Sequence, residues 1–224
     1  MKLLSSPLSP FAARVRLAIY AKNLPVEIAP ANMWQANGEK SPDYLALNPL
    51  GKVPALILDD GGVLPESDTI VEFLADRFPD AELRPRDPRA IAHGRLLARI
   101  VELYVMTPGV PLFGQLLGAR NEAAIEQALA GMDAGLASLN HFMTGTESPE
   151  SAITTADCAL APYLYFFPHL FGCAFSGASL IAKHEKVAGY YERLQRDASV
   201  QRVIGEIRGG LAGSRLKGVL AGED

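Results

Sequence analysis

The chain has 224 residues, 49% of them hydrophobic and 21% charged, with a net charge of −4. This composition can bury a core, which excludes a disordered chain, and the mild negative charge supplies no basic stripe for nucleic acid. The length suits a small domain followed by a medium one. The two cysteines, Cys158 and Cys173, are far apart and form no Cys-x-x-Cys pair. They make neither a disulfide framework nor a zinc site, and they suit a reducing compartment. Residues 1–7 carry too little apolar content for a secretory signal, and no Asn-x-Ser/Thr acceptor occurs;. A cytoplasmic protein is expected.

Lys2 to Ser5 reads as a short strand. Pro10 to Lys22 follows with Val15, Ala18 and Ile19 at helical spacing, and Pro10 suits a first helical turn;. Leu24 to Ala29 alternates and reads as a second strand, so the opening is a β-α-β unit. Residues 30–49 are irregular, apart from a short helix near Pro42 to Leu47. Val53 to Leu58 is an apolar strand, Asp59 to Gly62 a hairpin turn, and Val63-Leu64 the return strand;. Glu66 to Phe78 is helical, with Ile70, Phe73 and Leu74 on one face.

Residues 79–88 carry three prolines and charges of both signs, the signature of a linker;. Everything beyond is helical. Arg89 to Val105 places Ile100, Leu103 and Tyr104 on one side, and residues 108–111, Pro-Gly-Val-Pro, must kink or stop that helix;. Asn121 to Met143 and Thr154 to Phe171 are further helices, and Lys183 to Ile207 holds two shorter ones. From Cys158 to Ala182 only His169 can carry charge, so this stretch has the length of a membrane span;. Pro162 and Pro168 interrupt it and Thr154-Thr155-Ala156-Asp157 opens it like a capping box, so it is read as a buried helix followed by a loop. The expected fold is α/β plus all-α: a thioredoxin-like domain (β-α-β-α-β-β-α) over residues 1–79, a linker over 80–87 and an all-helical domain over 88–224.

Three segments could carry chemistry. A proline opens the third strand at Val53-Pro54, where it removes a ladder donor. A cis bond there would turn the Val53 backbone outward to pair with an extended peptide; an ordinary trans proline at a strand start fits the local sequence as well. Leu64-Pro65-Glu66-Ser67-Asp68 stands at a turn that opens a helix. The free N–H groups and Ser67 could take a ligand carboxylate and Glu66 a ligand ammonium, or Ser67 could simply cap the helix. Ser9 precedes Pro10-Phe11 at the first helix N-terminus, as a plain cap or as a hydroxyl that donates to a bound sulfur and lowers its pKa. The four histidines, His93, His141, His169 and His184, have no metal spacing. No Gly-x-Gly-x-x-Gly, phosphate loop or Gly-x-Ser-x-Gly occurs.

In order and spacing these segments resemble the soluble glutathione transferases of the serine type, and the likeness extends along the whole chain. Gly51-Lys52-Val53-Pro54-Ala55-Leu56, Pro65-Glu66-Ser67 and the Thr154–Asp157 motif carry it. The resemblance implies that Val53 beside Pro54 pairs with the cysteinyl part of glutathione. Glu66 and Ser67 hold its γ-glutamyl group, and Lys52, with Lys40 as a second cation, approaches its glycyl carboxylate. Ser9 becomes the catalytic serine, in preference to Ser5 and Ser6, with Arg14 and Arg16 in the helix behind it. The N-terminal motif is similar to tau- and omega-type patterns, or more loosely to the zeta type. Omega-type proteins place a cysteine at this position, and a serine cannot form a mixed disulfide.

Thiolate activation for attack on a small hydrophobic electrophile is therefore the expected function, in the manner of detoxification. A glutathione-dependent isomerase, dehalogenase or ether-cleaving enzyme is the alternative, and a non-catalytic module of the same fold ranks last. Phe11, Tyr104, Met106, Phe113, Tyr165 and Phe166 are candidates for the substrate pocket. The resemblance also implies a homodimer; no metal, nucleic acid or membrane partner is expected.

Overall fold

A computed structural model describes residues 1–118, 120–145, 147 and 152–222, with only the backbone described at 221 and 222. The last two residues of the expected helical domain, Glu223 and Asp224, lie outside them. The sheet is β1 (Lys2–Ser5), β2 (Glu27–Pro30), β3 (Ala55–Ile57) and β4 (Val63–Pro65), in the order β2-β1-β3-β4. β1 runs parallel to β2, with Leu3 opposite Ile28, and antiparallel to β3, with Leu3 opposite Leu56. β3 and β4 form the hairpin, turned at Gly61 with φ +86°. With α1 (Pro10–Ala21), α2 (Pro42–Leu47) and α3 (Ser67–Arg77), this is the thioredoxin-like β-α-β-α-β-β-α order expected from the sequence.

β2 starts three residues later than the alternation suggested. Asn23 sits at φ +48°, and the Val26 N–H bonds to the Leu24 carbonyl in a tight turn. Leu24 and Val26 are buried, but as loop side chains rather than as a strand face. β3 is also shorter than expected: Val53-Pro54 is a cis bond, and pairing begins at Ala55.

The helical part comprises α4 (Pro88–Ile100), a π-helical segment (Val101–Met106), α5 (Thr107–Gly109), α6 (Leu112–Leu117) and α7 (Glu122–Phe142). It continues through α8 (Thr155–Leu164), a second π-helical segment (Tyr165–Phe171), α9 (Gly172–Ser176), α10 (Glu185–Leu194) and α11 (Ala198–Ala212). Side-chain caps set most of the starts: Ser9, Ser41, Asp87, Asn121 and Asp197 each accept from a first-turn N–H. Each such cap contributes about 1 kcal/mol. At α8, Thr154 and Asp157 form a full capping box, and the buried Asp157 carboxylate also accepts from the Tyr190 hydroxyl. The Thr155 N–H bonds to the Leu83 carbonyl at 2.8 Å, tying the linker to this helix.

Neither helical proline pair breaks its helix outright. The chain widens into π turns before Pro108 and around Pro168, which accommodates prolines that cannot donate an i→i−4 bond;. The Thr107 N–H then bonds to the Glu102 carbonyl, five residues back. The wide turn rotates the helix register, so Val101 and Val105 are buried while Leu103 and Tyr104 are 42% and 57% exposed. This corrects the expected Ile100–Leu103–Tyr104 face, of which only Ile100 is buried. The widened turn is possible because α7 presents Gly135 to it: a Cβ there would fall 1.9 Å from the Tyr104 carbonyl oxygen. Around Pro168 the same device carries the core helix on to Ser176, past its expected end.

The main hydrophobic core runs through both parts, from Leu3 of β1 and Leu17 of α1 to Phe166, Val203 and Leu211. α1 packs against α3, α8 and α11. The stretches Pro88–Leu117 and Thr155–Ser176 are long and apolar enough to cross a membrane, but the most apolar window of the latter is 78% buried inside the fold, as in the core helix of a globular protein.

Candidate functional site

A cavity of about 900 Å3 opens between the C-terminal ends of β1, β2 and β4, the start of β3 and the two π-helical segments. A cavity of that size takes a tripeptide-sized ligand together with a second small molecule. Its wall includes Ser9, Lys40, Lys52, Val53, Pro54, Glu66 and Ser67, so every residue singled out for glutathione and catalysis faces one space.

Ser9 is 7% exposed and caps α1, its Oγ accepting from the Ala12 N–H at 3.2 Å. Capping uses only a lone pair, so the hydroxyl proton remains available to donate into the cavity. The loop before it is pinned from behind. Arg16, itself buried, donates to Ser5 Oγ and to the Ser6 and Pro7 carbonyls at 2.7–2.8 Å, and its Nε bonds to Glu206 of α11 at 2.7 Å. Burial lowers the Arg16 pKa and Glu206 opposes that shift. Ser5 and Ser6 also reach the cavity, but their Oγ and carbonyl respectively serve as acceptors for Arg16.

Val53 stands half-buried at the cis bond, and its backbone N–H and C=O make no hydrogen bond among the described residues. A free main-chain pair at the end of a strand can accept an extended peptide as one more ladder rung. The Lys52 carbonyl, by contrast, is held by the Tyr44 hydroxyl at 2.6 Å and the Asn48 amide at 2.9 Å. The Lys40 ammonium donates to the Gly51 carbonyl and lies 3.8 Å from the centre of the Trp34 ring. Burial moves the Lys40 pKa below the usual lysine value.

Glu66 has φ +69°, a costly conformation for a residue with a side chain, at about 1–3 kcal/mol;. It places Glu66 in the cavity wall and Ser67 at the first turn of α3, where the unpaired N–H groups of a helix start can receive an anion;. Behind them the buried Arg14 pairs with Asp68, fastening α1 to α3. The Tyr163 ring packs edge-on to Phe11 at 5.5 Å, and its hydroxyl, raised in pKa mainly by burial, lies close to Arg14 and Ser67.

The far wall is apolar except at Glu102. Phe11, Met106, Phe113 and Phe166 line it, joined by Val110. Tyr104 and Tyr165 do not. Tyr104 is turned to solvent by the π register, and Tyr165 points the other way into the core, beside His169 at 5.7 Å. Sequence reasoning missed the buried Asn48, which the Asn48-Pro49 turn signal could have flagged. It also missed Trp34 and Glu102, which carried no local signal. Among the described residues no group of three or more His, Cys, Asp or Glu is placed to hold a metal ion.

Comparison with known proteins agrees with this geometry. Residues 8–77 match the family model described as glutathione S-transferase, N-terminal domain. Glutathione S-transferase F13 of Arabidopsis thaliana is 32% identical over 181 residues, covering 75% of this chain and 80% of that protein. A maleylacetoacetate isomerase of Pseudomonas aeruginosa is 41% identical over 102 residues, 45% of this chain and 48% of the isomerase. The structure of a sphingomonad glutathione S-transferase complexed with glutathione is 25% identical, with a TM-score of 0.70, covering 92% of this chain and 98% of that one. A likeness that runs through the sheet, the cavity and the helical half together gives the conclusion that this chain belongs to the glutathione S-transferase family.

Proposed function

We propose that this glutathione transferase family member binds glutathione in the cavity, ionises its thiol against Ser9 and transfers the sulfur to a small apolar electrophile. Residues 1–79 form the glutathione-binding domain in this reading, 80–87 the linker, and 88–224 the domain that supplies the second-substrate wall. Val53 pairs with the cysteinyl backbone, Glu66 and Ser67 take the γ-glutamyl ammonium and carboxylate, and Lys52 and Lys40 face the glycyl carboxylate. The observation that carries the proposal is the meeting of Ser9, the unpaired Val53 backbone and the Glu66-Ser67 turn in one cavity with an apolar far wall.

The chemistry follows from charge. A free thiol titrates near about 8.5. A hydrogen bond to a charged partner contributes about 1.5–3 kcal/mol, which is about 1–2 pKa units in favour of the thiolate. The positive end of α1 acts in the same direction. The thiol proton leaves to solvent and the thiolate attacks the electrophilic carbon. A C–S bond forms as the bond to the leaving group breaks, and that group departs with the electron pair.

The 41% match to the isomerase supports a second reading, in which the thiolate adds reversibly to a double bond, allows rotation and is expelled. A homodimer is proposed on the family and on the exposed apolar strip Leu96, Leu103 and Tyr104;. A cytoplasmic location and a role in detoxification belong to the same proposal. The test is conjugation of glutathione to chlorodinitrobenzene, with the bound thiolate followed by its ultraviolet absorbance. Ser9→Ala is expected to lower kcat/KM by about 10–100-fold and to raise the pKa of the bound thiol. An unchanged thiolate signal in Ser9→Ala would remove Ser9 from the mechanism.

A further inference from the structure

Four charged side chains stand in the cavity wall: Lys40, Lys52, Glu66 and Glu102. The proposed glutathione site accounts for the first three. Glu102 has no part in it. It sits on the first π-helical segment, one turn before Met106 and two before Val110, both of which line the cavity with it, and it acts on the Tyr163 hydroxyl, whose ring packs on Phe11. Its backbone is fixed, because its carbonyl accepts both the Thr107 N–H and the Thr107 hydroxyl. Its side chain is three-quarters buried, and its carboxylate accepts from Arg99 at 2.9 Å. Arg99 lies outside the cavity wall and is more than half exposed, so solvent weakens its compensation of the charge on the cavity side;. Among the described residues, the cations of the wall are Lys40 and Lys52, both on the thioredoxin-like half.

We propose that Glu102 is a charge filter for the second substrate, selecting neutral or cationic electrophiles and rejecting those that carry a carboxylate. This rests on the reading of the cavity as a glutathione and electrophile site. A fixed negative charge in an apolar, partly dehydrated wall repels a second carboxylate within a few ångströms, and the thiolate of the nucleophile adds to the same field. Among the described residues the wall itself holds no cation on that side, and the buried Arg14 behind it is already paired with Asp68. Neutral aromatic or aliphatic electrophiles meet only the apolar surface, and a positively charged substituent gains an ion pair.

The experiment compares a chloronitrobenzamide with the chloronitrobenzoate of the same ring pattern. In both, the thiolate carbon–sulfur bond forms at the chlorinated carbon and chloride leaves. Wild type is expected to prefer the amide, and Glu102→Gln to lower the amide-to-benzoate ratio of kcat/KM by about tenfold, while KM for glutathione stays at its wild-type value. Arg99→Gln, outside the wall, exposes Glu102 further and is expected to raise the ratio. These opposite shifts, and their shrinkage at high salt, would establish the filter. A ratio unchanged in both variants overturns the inference alone. A rise in KM for glutathione in Glu102→Gln, equal with both electrophiles, overturns it by assigning Glu102 to the glutathione ammonium. A wild-type protein inactive with either electrophile overturns the site reading and this inference with it.

Discussion

Replacing Arg16 by methionine probes how the helical half holds the loop that carries Ser9. The side chain is 2% exposed and makes four hydrogen bonds: to Ser5 Oγ, the Ser6 and Pro7 carbonyls, and Glu206. Methionine keeps the apolar stem and removes every donor. Ser5 can turn its hydroxyl elsewhere, and Glu206 keeps the Tyr20 hydroxyl at 2.8 Å and partial contact with water. The Ser6 carbonyl keeps the Ser9 N–H at 3.2 Å, and the Pro7 carbonyl is left to solvent, so the loop loses its tie to α1. Breaking one side of a buried charged pair costs about 3–5 kcal/mol, and Glu206, partly solvated and still paired with Arg202 at 3.5 Å, brings the expectation to the lower end, about 3 kcal/mol;. That is a large share of the roughly 5–15 kcal/mol that holds a protein folded. Urea unfolding followed by circular dichroism reads the loss directly. Turnover should fall as well, because the Ser9 N–H bonds to the Ser6 carbonyl at 3.2 Å and loses its anchor with it. Arg16→Lys should restore part of the stability, since an ammonium cannot reach acceptors on three sides as a guanidinium fork does. A loss under about 1 kcal/mol in Arg16→Met would refute the argument that this arginine braces the loop.

Two neighbouring glycines of α11 should respond in opposite directions. A Cβ at Gly209 meets nothing within 4 Å, so Gly209→Ala should raise stability by about 0.5–1 kcal/mol through helix propensity;. At Gly210 the Cβ would fall 2.7 Å from the Leu8 backbone nitrogen, so Gly210→Ala should cost about 1–3 kcal/mol and slow turnover by displacing the Ser9 loop; melting temperatures and kcat check both;. Cys158 is wholly buried, and burial, then the charge of Asp157, pushes its thiol far above the usual range. The folded state thus keeps the thiol neutral while the unfolded chain ionises near pH 8.5. The contribution is complete below that pH and is lost as pH rises, by about 1.4 kcal/mol between about pH 7.5 and 9.5. Urea unfolding at the two pH values should show that decrement in wild type and not in Cys158→Ala.

What the sequence made legible lay in local punctuation. Ser9-Pro10, Ser41-Pro42, the Asp59–Gly62 turn and the Thr154–Asp157 box each combine a cap or turn residue with its own backbone, so reading them needs no tertiary information. The π turns were not legible in that way. Pro108 forbids a regular bond, but whether the chain there kinks, stops or widens depends on Gly135 on another helix giving room. The misplacement of Leu103 and Tyr104 follows from that one register change. Arg16 reads locally as a solvated helix charge, because the carboxylate that permits its burial stands 190 residues further along. Glu102 was hidden for the same reason: a charge beside Arg99 on an amphipathic helix reads as surface, and only the rotated register turns it inward.

The measurement that bears most directly on the central claim is calorimetric titration of glutathione into wild type and into the double variant Glu66→Ala with Ser67→Ala. The account expects saturable binding in the micromolar-to-millimolar range, weakened by about 10–100-fold or lost in the variant, for the loss of a charge-assisted pair of contacts. Absence of binding to a folded wild type, or equal binding by both proteins, would contradict it.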